Sequence, residues 1–341
     1  MPKALIFGTG SLGACYAWVL SKAVGQRNIT AICRSNYDVA SRDGFTIHSK
    51  LWGDNLKFRP RVARSVAEAV QASAADEQPF FDFVVVAAKA LPSTPSVAEL
   101  IRPAVLKGTT GIVLIQNGIG IEDEYARLYP ENPVLSTVAY FPATQVEPAV
   151  VHHREVELLH VGTYPAASVP DSHKQAARTF AELIGKGGAT AKLHDDVQRE
   201  RWGKLLVNAA WNPVCALTRL RDREFMDANA SLGLGGSGDG LQFVREVMLE
   251  IAAVARACGY ADVDEALVDY QIGRAAARGL PGVQPSMLTD AFAGRSLEVD
   301  AIVGNAVRMA RSRGVATPML RTIYVLANGL SESFAKKKGS S

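Results

Sequence analysis

The sequence lacks long apolar runs and concentrations of charge, and each absence removes a class of protein. No uninterrupted apolar stretch reaches the roughly 18 residues of a membrane span, and no signal-peptide core precedes the first strand-like run. The 37 basic and 34 acidic residues are spread along the chain and give a net charge of only +3. We therefore expect a soluble, cytoplasmic protein that binds neither nucleic acid nor membrane.

Cysteine is also scarce, and its spacing excludes two further kinds of site. The cysteines are Cys15, Cys33, Cys215 and Cys258, with no C-x-x-C pair among them. This pattern argues against a zinc site and against a disulfide framework. The adjacent histidines 152 and 153 have no H-E-x-x-H motif or carboxylate cluster beside them, so we predict no metal.

The order of apolar segments predicts an α/β protein with two domains. Compact runs at 3–8, 29–33, 83–88 and 111–115 alternate with helical patterns, which indicates a doubly wound parallel sheet. Adjacent, antiparallel strands are expected over 134–164. Beyond residue 195 only helical periodicity remains, in segments at 198–221, 241–258, 263–278, 297–313 and after Pro318.

We accordingly divide the chain into a Rossmann-type domain at 1–194, an all-helical domain at 195–335 and a frayed tail at 336–341. The glycine-rich stretch 231–240 is expected to be a loop within the helical domain.

The turn after the first strand has the spacing of a dinucleotide-binding motif. Its residues are Gly8, Thr9, Gly10, Ser11, Leu12 and Gly13. In a G-x-G-x-x-G turn the glycines permit a tight bend, close approach of a pyrophosphate and close helix packing. The same spacing recurs at 233–238, but there it follows a helical stretch instead of a strand, so only the first copy is interpreted as a cofactor site.

Residues at the ends of three predicted strands are further candidates for the cofactor. Arg34 stands where an NAD-binding protein would carry a carboxylate, and a guanidinium can pair with a 2′-phosphate, so NADPH is favoured unless Arg34 is simply a solvated loop residue. Lys89 and Asn117 each follow a strand and could contact the cofactor. The alternatives are a solvated lysine and an ordinary Asn-Gly turn.

A polar row in an apolar helix is the main signal in the second half. Lys204, Asn208 and Asn212 recur at every fourth residue, which places them along one stripe of a helix whose other residues are mostly apolar. Buried polar groups need partners. The row is therefore either a satisfied structural network or a surface that faces a substrate.

Taken in order over residues 3–328, these features resemble the ketopantoate reductase family. The resemblance also includes the stretch 116–118, Pro213 after the polar row, and the segments 286–290 and 294–300. It implies NADPH-dependent reduction of 2-dehydropantoate to pantoate, as in pantothenate biosynthesis, on a Rossmann domain joined to a helical domain like that of 6-phosphogluconate dehydrogenases. A homodimer is compatible with it.

The resemblance also implies roles for individual residues. Lys204 corresponds to the catalytic lysine and Glu298 to the active-site glutamate, while Lys89 and Asn117 match the lysine and asparagine on the cofactor side. The expected substrate-binding residues are Asn208, Asn212 and Ser286. By sequence alone, the alternatives are that Glu298 is an exposed partner of Arg295 and that Ser286 is a helix N-cap.

The chemistry agrees with these roles, because hydride addition to a 2-oxo acid leaves an alkoxide that needs a proton. A lysine whose pKa is lowered by desolvation can supply it, so Lys204 is the expected general acid. We expect the site residues from both domains to line a cleft.

The pocket departs from the family at three places, which leaves other substrates open. The asparagine that some members carry three residues before the serine is missing ahead of Ser286. Trp211 adds a bulky ring beside Asn212, and the glycine-rich loop resembles an insertion. The alternatives are a reductase of another 2-oxo or keto acid and a catalytically silent NADP(H)-binding sensor.

Overall fold

A computed structural model describes residues 1–167, 169–230 and 238–339. The chain forms two compact units. The first comprises Met1–Lys89, Ser93–Gln116 and Ile121–Gln198. The second comprises Ala90–Pro92, Asn117–Gly120 and the described residues from Arg199 onward. The second G-x-G-x-x-G spacing, apart from Gly238, and residues 231–237 of the expected glycine-rich loop lie outside the described residues. The last two residues of that loop, 239 and 240, are helical instead, because the helix Asp239–Ala257 begins there.

Among the described residues, the strands lie in the first unit, which also contains six α-helices. Its strands are β1 (Ala4–Phe7), β2 (Ile29–Ile32), β3 (Phe45–Ser49), β4 (Gly53–Phe58), β5 (Arg61–Ala63), β6 (Phe83–Val86), β7 (Gly111–Leu114), β8 (Val134–Tyr140), β9 (Ala143–Glu147), β10 (Val150–His153), β11 (Leu158–Tyr164) and β12 (Ala191–Leu193). Its helices are α1 (Ser11–Val24), α2 (Tyr37–Asp43), α3 (Val66–Ser73), α4 (Val97–Leu100), α5 (Asp123–Leu128) and α6 (Asp171–Lys186).

The larger sheet has eight strands in the order β5-β2-β1-β6-β7-β8-β11-β12. The first six of these are parallel and follow the 3-2-1-4-5-6 order of a dinucleotide-binding sheet. Every residue of β1, β2, β6 and β7 is buried, which explains why these strands are continuous apolar runs. β11 pairs antiparallel with β8, so the antiparallel strands expected over 134–164 are confirmed.

A second sheet of four strands, in the order β4-β3-β10-β9, was not predicted. β3 alternates buried and half-buried residues, with Thr46 and His48 on its more exposed face. Such a strand is buried on one side only and lacks the compact apolar run that identified the strands of the larger sheet. The hairpin of β9 and β10 lies in this sheet instead of extending the larger one.

The second unit is helical. Its helices are α7 (Gln198–Thr218), α8 (Asp222–Ala228), α9 (Asp239–Ala257), α10 (Glu265–Ala276), α11 (Ser286–Phe292), a π-helix (Asp300–Gly304), α12 (Asn305–Ser312) and α13 (Pro318–Gly339). The long helices lie where the apolar periodicity predicted them. Their apolar faces enclose one core, to which α7 contributes Trp202, Leu206 and Ala210.

The final helix includes residues 336–339, which the sequence analysis assigned to a frayed tail, and residues 340–341 are outside the described part of the chain. Two short segments of the first half, Ala90–Pro92 and Asn117–Gly120, group with the second unit, whereas the sequence was divided into contiguous ranges. Among the described residues, no helix has both the length and the apolarity needed to cross a bilayer.

Candidate active site

The turn between β1 and α1 can be built only from glycine at two positions. Gly8 has a φ of +93°, and a Cβ atom there would lie 2.5 Å from the backbone nitrogen of Ala88. A Cβ atom on Gly13 would lie 2.1 Å from the carbonyl oxygen of Gly8. These contacts pack α1 closely against the ends of β1 and β6, where the strand order reverses and α/β sheets bind their ligands.

Gly10 is different, because a Cβ atom there would meet nothing within 4 Å. It is the N-cap of α1, no side chain caps that helix, and no acidic residue lies in its first turn. Ser11 and Leu12 begin the helix and are half-buried. The helix therefore begins without a side-chain cap and beside open space at Gly10, which is the arrangement that binds a pyrophosphate.

Beside the glycine turn is a pocket of about 200 Å³. Its lining residues are Phe7, Gly8, Thr9, Gly10, Ile32, Arg34, Ser35, Asn36, Ala88 and Gln145. Thr9 is buried and fixes the turn, since its Oγ1 donates to the carbonyl of Ile32 at 2.9 Å and its own carbonyl accepts from Nδ2 of Asn36 at 2.8 Å. Arg34 is exposed at this pocket, with its guanidinium 5.8 Å from the ring of Phe7.

These residues fit the adenosine and pyrophosphate part of NADPH. The open space at Gly10 leaves room for the backbone to meet a phosphate, and Arg34 provides a cation beside it. No carboxylate lines the pocket, so the feature that would bind the unmodified ribose diol of NADH is missing among its lining residues.

Lys89 lies three residues beyond β6 and is exposed.

In the second unit, α7 holds Lys204 against the segment 117–120. Nζ of Lys204 donates to Oδ1 of Asn117 at 2.8 Å, and the lysine side chain is partly buried. Burial is the main cause that lowers the pKa of Lys204, to about 8; the neighbouring Arg201 lowers it as well, and Glu298 opposes the shift. A lysine in this state is a stronger acid than a solvated one.

Arg201 is a residue of this site to which the sequence analysis gave no role. It is only 3% exposed, and its Nη1 donates to the carbonyl of Gly118 at 2.8 Å. The only signal for it was its position one turn before Lys204 on the same helix. Gly118 itself has a φ of +104° and lies so close to the carbonyl of Ala301 that no side chain would fit.

The two asparagines of the polar row have different surroundings. Asn208 is half-buried, and within the described ranges its side chain has no hydrogen-bond partner. Asn212 is buried, and its Oδ1 accepts from the backbone N–H of Met287 at 3.1 Å and from Oγ of Ser286 at 3.3 Å. Asn212 therefore fixes the start of α11. Ser286 is the first residue of that helix and not its N-cap, which is Pro285.

Glu298 is buried, and Arg295 is not its partner. Oε1 of Glu298 accepts from the backbone N–H of Ala90 at 2.9 Å, whereas Arg295 donates to Asp290 at 2.9 Å. Glu298 is also close enough to act on the pKa of Lys204. The second unit thus brings together Lys204, Asn117 and Glu298, which are far apart in the sequence.

The strand order and the glycine turn define a dinucleotide-binding protein of the Rossmann class that carries an additional helical unit. Residues 4–166 match the family described as ketopantoate reductase PanE/ApbA, and residues 196–331 match the C-terminal part of the same family.

Individual relatives agree with this match. The crystal structure of 2-dehydropantoate 2-reductase from Methylococcus capsulatus is 31% identical and has a TM-score of 0.79, with 97% of each chain covered. A 2-dehydropantoate 2-reductase of Nostoc sp. is 26% identical over 94% of this chain and 93% of its own length. An uncharacterized protein of Saccharomyces cerevisiae is 29% identical over 99% of this chain and 96% of its own length.

The chain belongs to the ketopantoate reductase family, whose members are NADP-dependent oxidoreductases. The predicted family, fold class, cofactor and enzyme class are thereby confirmed.

Proposed function

We propose that this protein reduces 2-dehydropantoate to pantoate with NADPH and that Lys204 is the general acid. The observation that carries the proposal is the partly buried ammonium of Lys204, which is fixed by Asn117 at 2.8 Å and has a pKa lowered to about 8. An acid of that strength is mostly protonated at neutral pH and still gives up its proton readily.

The cofactor roles follow from the glycine turn and its surroundings. The residues Gly8, Thr9, Gly10, Ser11, Leu12 and Gly13 bind the pyrophosphate through backbone N–H groups at the start of α1. Arg34 pairs with the 2′-phosphate. Lys89 and Asn117 complete the cofactor contacts; the Nδ2 group of Asn117 is the part left for this role, because its Oδ1 already accepts from Lys204.

When bound, NADPH would supply the hydride that adds to the 2-oxo carbon. Lys204 donates a proton to the carbonyl oxygen as negative charge develops there, and it then becomes neutral. Asn117 keeps Nζ in one orientation, and the negative charge of Glu298 favours the protonated lysine before the reaction.

Substrate contacts are assigned to the polar row and to α11. Asn208, whose amide lacks a partner among the described residues, is the side chain best able to bind the substrate directly. Ser286 is assigned to the substrate carboxylate. Its hydroxyl has one proton, which it donates to Oδ1 of Asn212 at 3.3 Å when no substrate is bound, so this bond is exchanged for one to the carboxylate when the substrate binds.

A different 2-oxo or keto acid is the second candidate, because substrate choice depends on few contacts. Trp211 does not by itself support a reshaped pocket: it is buried in the helical core, with its ring edge-on to Phe225 at 6.3 Å. Oxidation of NADPH, followed by its near-ultraviolet absorbance with ketopantoate and with straight-chain, branched and aryl 2-oxo acids, tests the proposal.

Ketopantoate should have the highest kcat/KM in this panel. A higher value for another 2-oxo acid would reassign the substrate. Tight NADPH binding without turnover of any member would instead favour the sensor. If ketopantoate is the substrate, the protein acts in pantothenate biosynthesis. We also expect a homodimer, and sedimentation analysis would test this.

A further inference from the structure

Gln145 lies on β9, outside the Rossmann sheet, yet it lines the pocket beside the glycine turn. The other lining residues come from β1 and β2, from the loops that follow them, and from the loop after β6. The four-stranded sheet thus adds one polar side chain to a pocket otherwise built by the larger sheet. The glycine motif gives no indication of this residue, because it lies more than 130 positions further along the chain.

The amide oxygen of Gln145 is buried and accepts no hydrogen bond from any described residue. The neighbouring amide in the same pocket, that of Asn36, has a partner within the protein, since its Nδ2 donates to the carbonyl of Thr9 at 2.8 Å. A buried acceptor without a donor destabilises the protein that contains it. Its persistence in a ligand pocket indicates that a ligand supplies the donor.

We propose that Gln145 is a cofactor-binding residue whose Oε1 accepts a hydrogen bond from the adenosine half of NADPH. The proposal rests on the cofactor site described above. The adenosine half offers two kinds of donor, the 6-amino group of adenine and the 3′-hydroxyl of the ribose. The 2′-phosphate oxygens are acceptors at neutral pH, so they belong with Arg34 and not with Oε1 of Gln145.

In this arrangement two residues bind different groups of the adenosine half. Arg34 binds the 2′-phosphate through charge, whereas Gln145 accepts a hydrogen bond from a neutral donor. A pocket that presents an unpaired acceptor discriminates against a ligand that lacks the matching donor, because that ligand leaves the acceptor unsatisfied.

The test uses Gln145→Met in the full chain. Methionine has a similar length but no amide, so it removes the buried acceptor with little change in shape. Gln175→Met is the matched control, because Gln175 is exposed on α6 in the same unit. For all three proteins we would measure the melting temperature without ligand and the Kd for NADPH, for its hypoxanthine analogue and for its 3′-deoxy analogue.

Gln145→Met should weaken NADPH binding by about threefold to tenfold, which corresponds to one lost hydrogen bond. The melting temperature of the ligand-free protein should stay the same or rise, since an unsatisfied acceptor has been removed. A merely structural glutamine would give the opposite change in melting temperature. Gln175→Met should leave all these values unchanged.

The analogues identify the donor. If adenine is read, the unmodified protein binds the hypoxanthine analogue more weakly than NADPH, and Gln145→Met removes that difference. If the ribose is read, the same holds for the 3′-deoxy analogue. The assignment is overturned if Gln145→Met binds NADPH as the unmodified protein does, or if it changes neither ratio. Failure of the unmodified protein to bind NADPH at all would instead overturn the proposed function.

Discussion

Lys204 and Asn117 are joined by a hydrogen bond of 2.8 Å from Nζ to Oδ1, although 87 positions separate them in the sequence. Arg201, one turn earlier on α7, binds the carbonyl of the next residue, Gly118. Helix α7 therefore holds the short segment 117–120 at two adjacent points. Because Nζ has a fixed partner, the ammonium is oriented before any substrate arrives.

We predict that Lys204→Met lowers kcat by roughly 10²- to 10⁴-fold, the usual contribution of a general acid. The Kd for NADPH should stay the same. The melting temperature should change little, because burial disfavours the charge of Lys204 and methionine removes that charge. Single-turnover hydride transfer, NADPH titration and thermal unfolding of the same variant measure all three quantities.

Lys192→Ala is the control for this variant, since Lys192 is an exposed lysine on β12. A folded Lys204→Met protein with near-normal hydride transfer would remove Lys204 from the mechanism. Loss of activity only in proportion to the unfolded fraction would make it a structural cation.

The pH dependence of the reduction rate should follow the protonation of Lys204. Its protonated form is required, so the rate of the chemical step should be constant below about pH 8 and fall as pH rises through the pKa of Lys204. The reverse oxidation needs the neutral lysine and should rise over the same range. Glu298→Gln should move the midpoint to lower pH, because the carboxylate raises the pKa of Lys204.

Glutamine retains an oxygen that can accept from Ala90, so this variant removes the charge and keeps that hydrogen bond. A midpoint that stays in place, or that moves to higher pH, would contradict the electrostatic role assigned to Glu298.

Two glycines of the same motif should respond differently to alanine. Gly13→Ala places a methyl group 2.1 Å from the carbonyl oxygen of Gly8, so we expect a loss of about 1–3 kcal/mol in unfolding free energy, or more. Gly10 has a φ of −75° and open space around it, so Gly10→Ala should fold normally. It should nevertheless weaken NADPH binding about tenfold, because the methyl group occupies the space expected for the pyrophosphate.

Urea unfolding measures the unfolding free energy of both variants, and NADPH titration measures their affinity for the cofactor. Equal NADPH affinity of Gly10→Ala and the unmodified protein would show that the pyrophosphate does not bind at this turn.

Arg34 should set the preference for NADPH over NADH. Arg34→Asp removes a charge-assisted contact of about 1.5–3 kcal/mol and introduces a carboxylate suited to a ribose diol, so the preference should fall by about tenfold or more, or reverse. The ratio of kcat/KM for the two cofactors measures the effect. If the unmodified protein uses both equally, Arg34 has no such role.

Local spacing in the sequence was sufficient to predict the glycine turn, the buried parallel strands, the long helices and the polar row at Lys204, Asn208 and Asn212. These features depend on residues close together in the chain, so the periods of helix and strand reveal them. The four-stranded sheet escaped prediction because its strands are half-buried and pair across long separations, as β3 does with β10.

Only the tertiary structure decided which polar groups meet. In the structure, Lys204 donates to Asn117 and Arg201 donates to the carbonyl of Gly118. Asn212 accepts from the start of α11, and Gln145 lines the pocket of the glycine turn. The sequence determined the kinds of group available and the face of the helix on which they lie. It could not determine their partners, because a hydrogen bond depends on distances of a few ångströms that only the folding of remote segments sets.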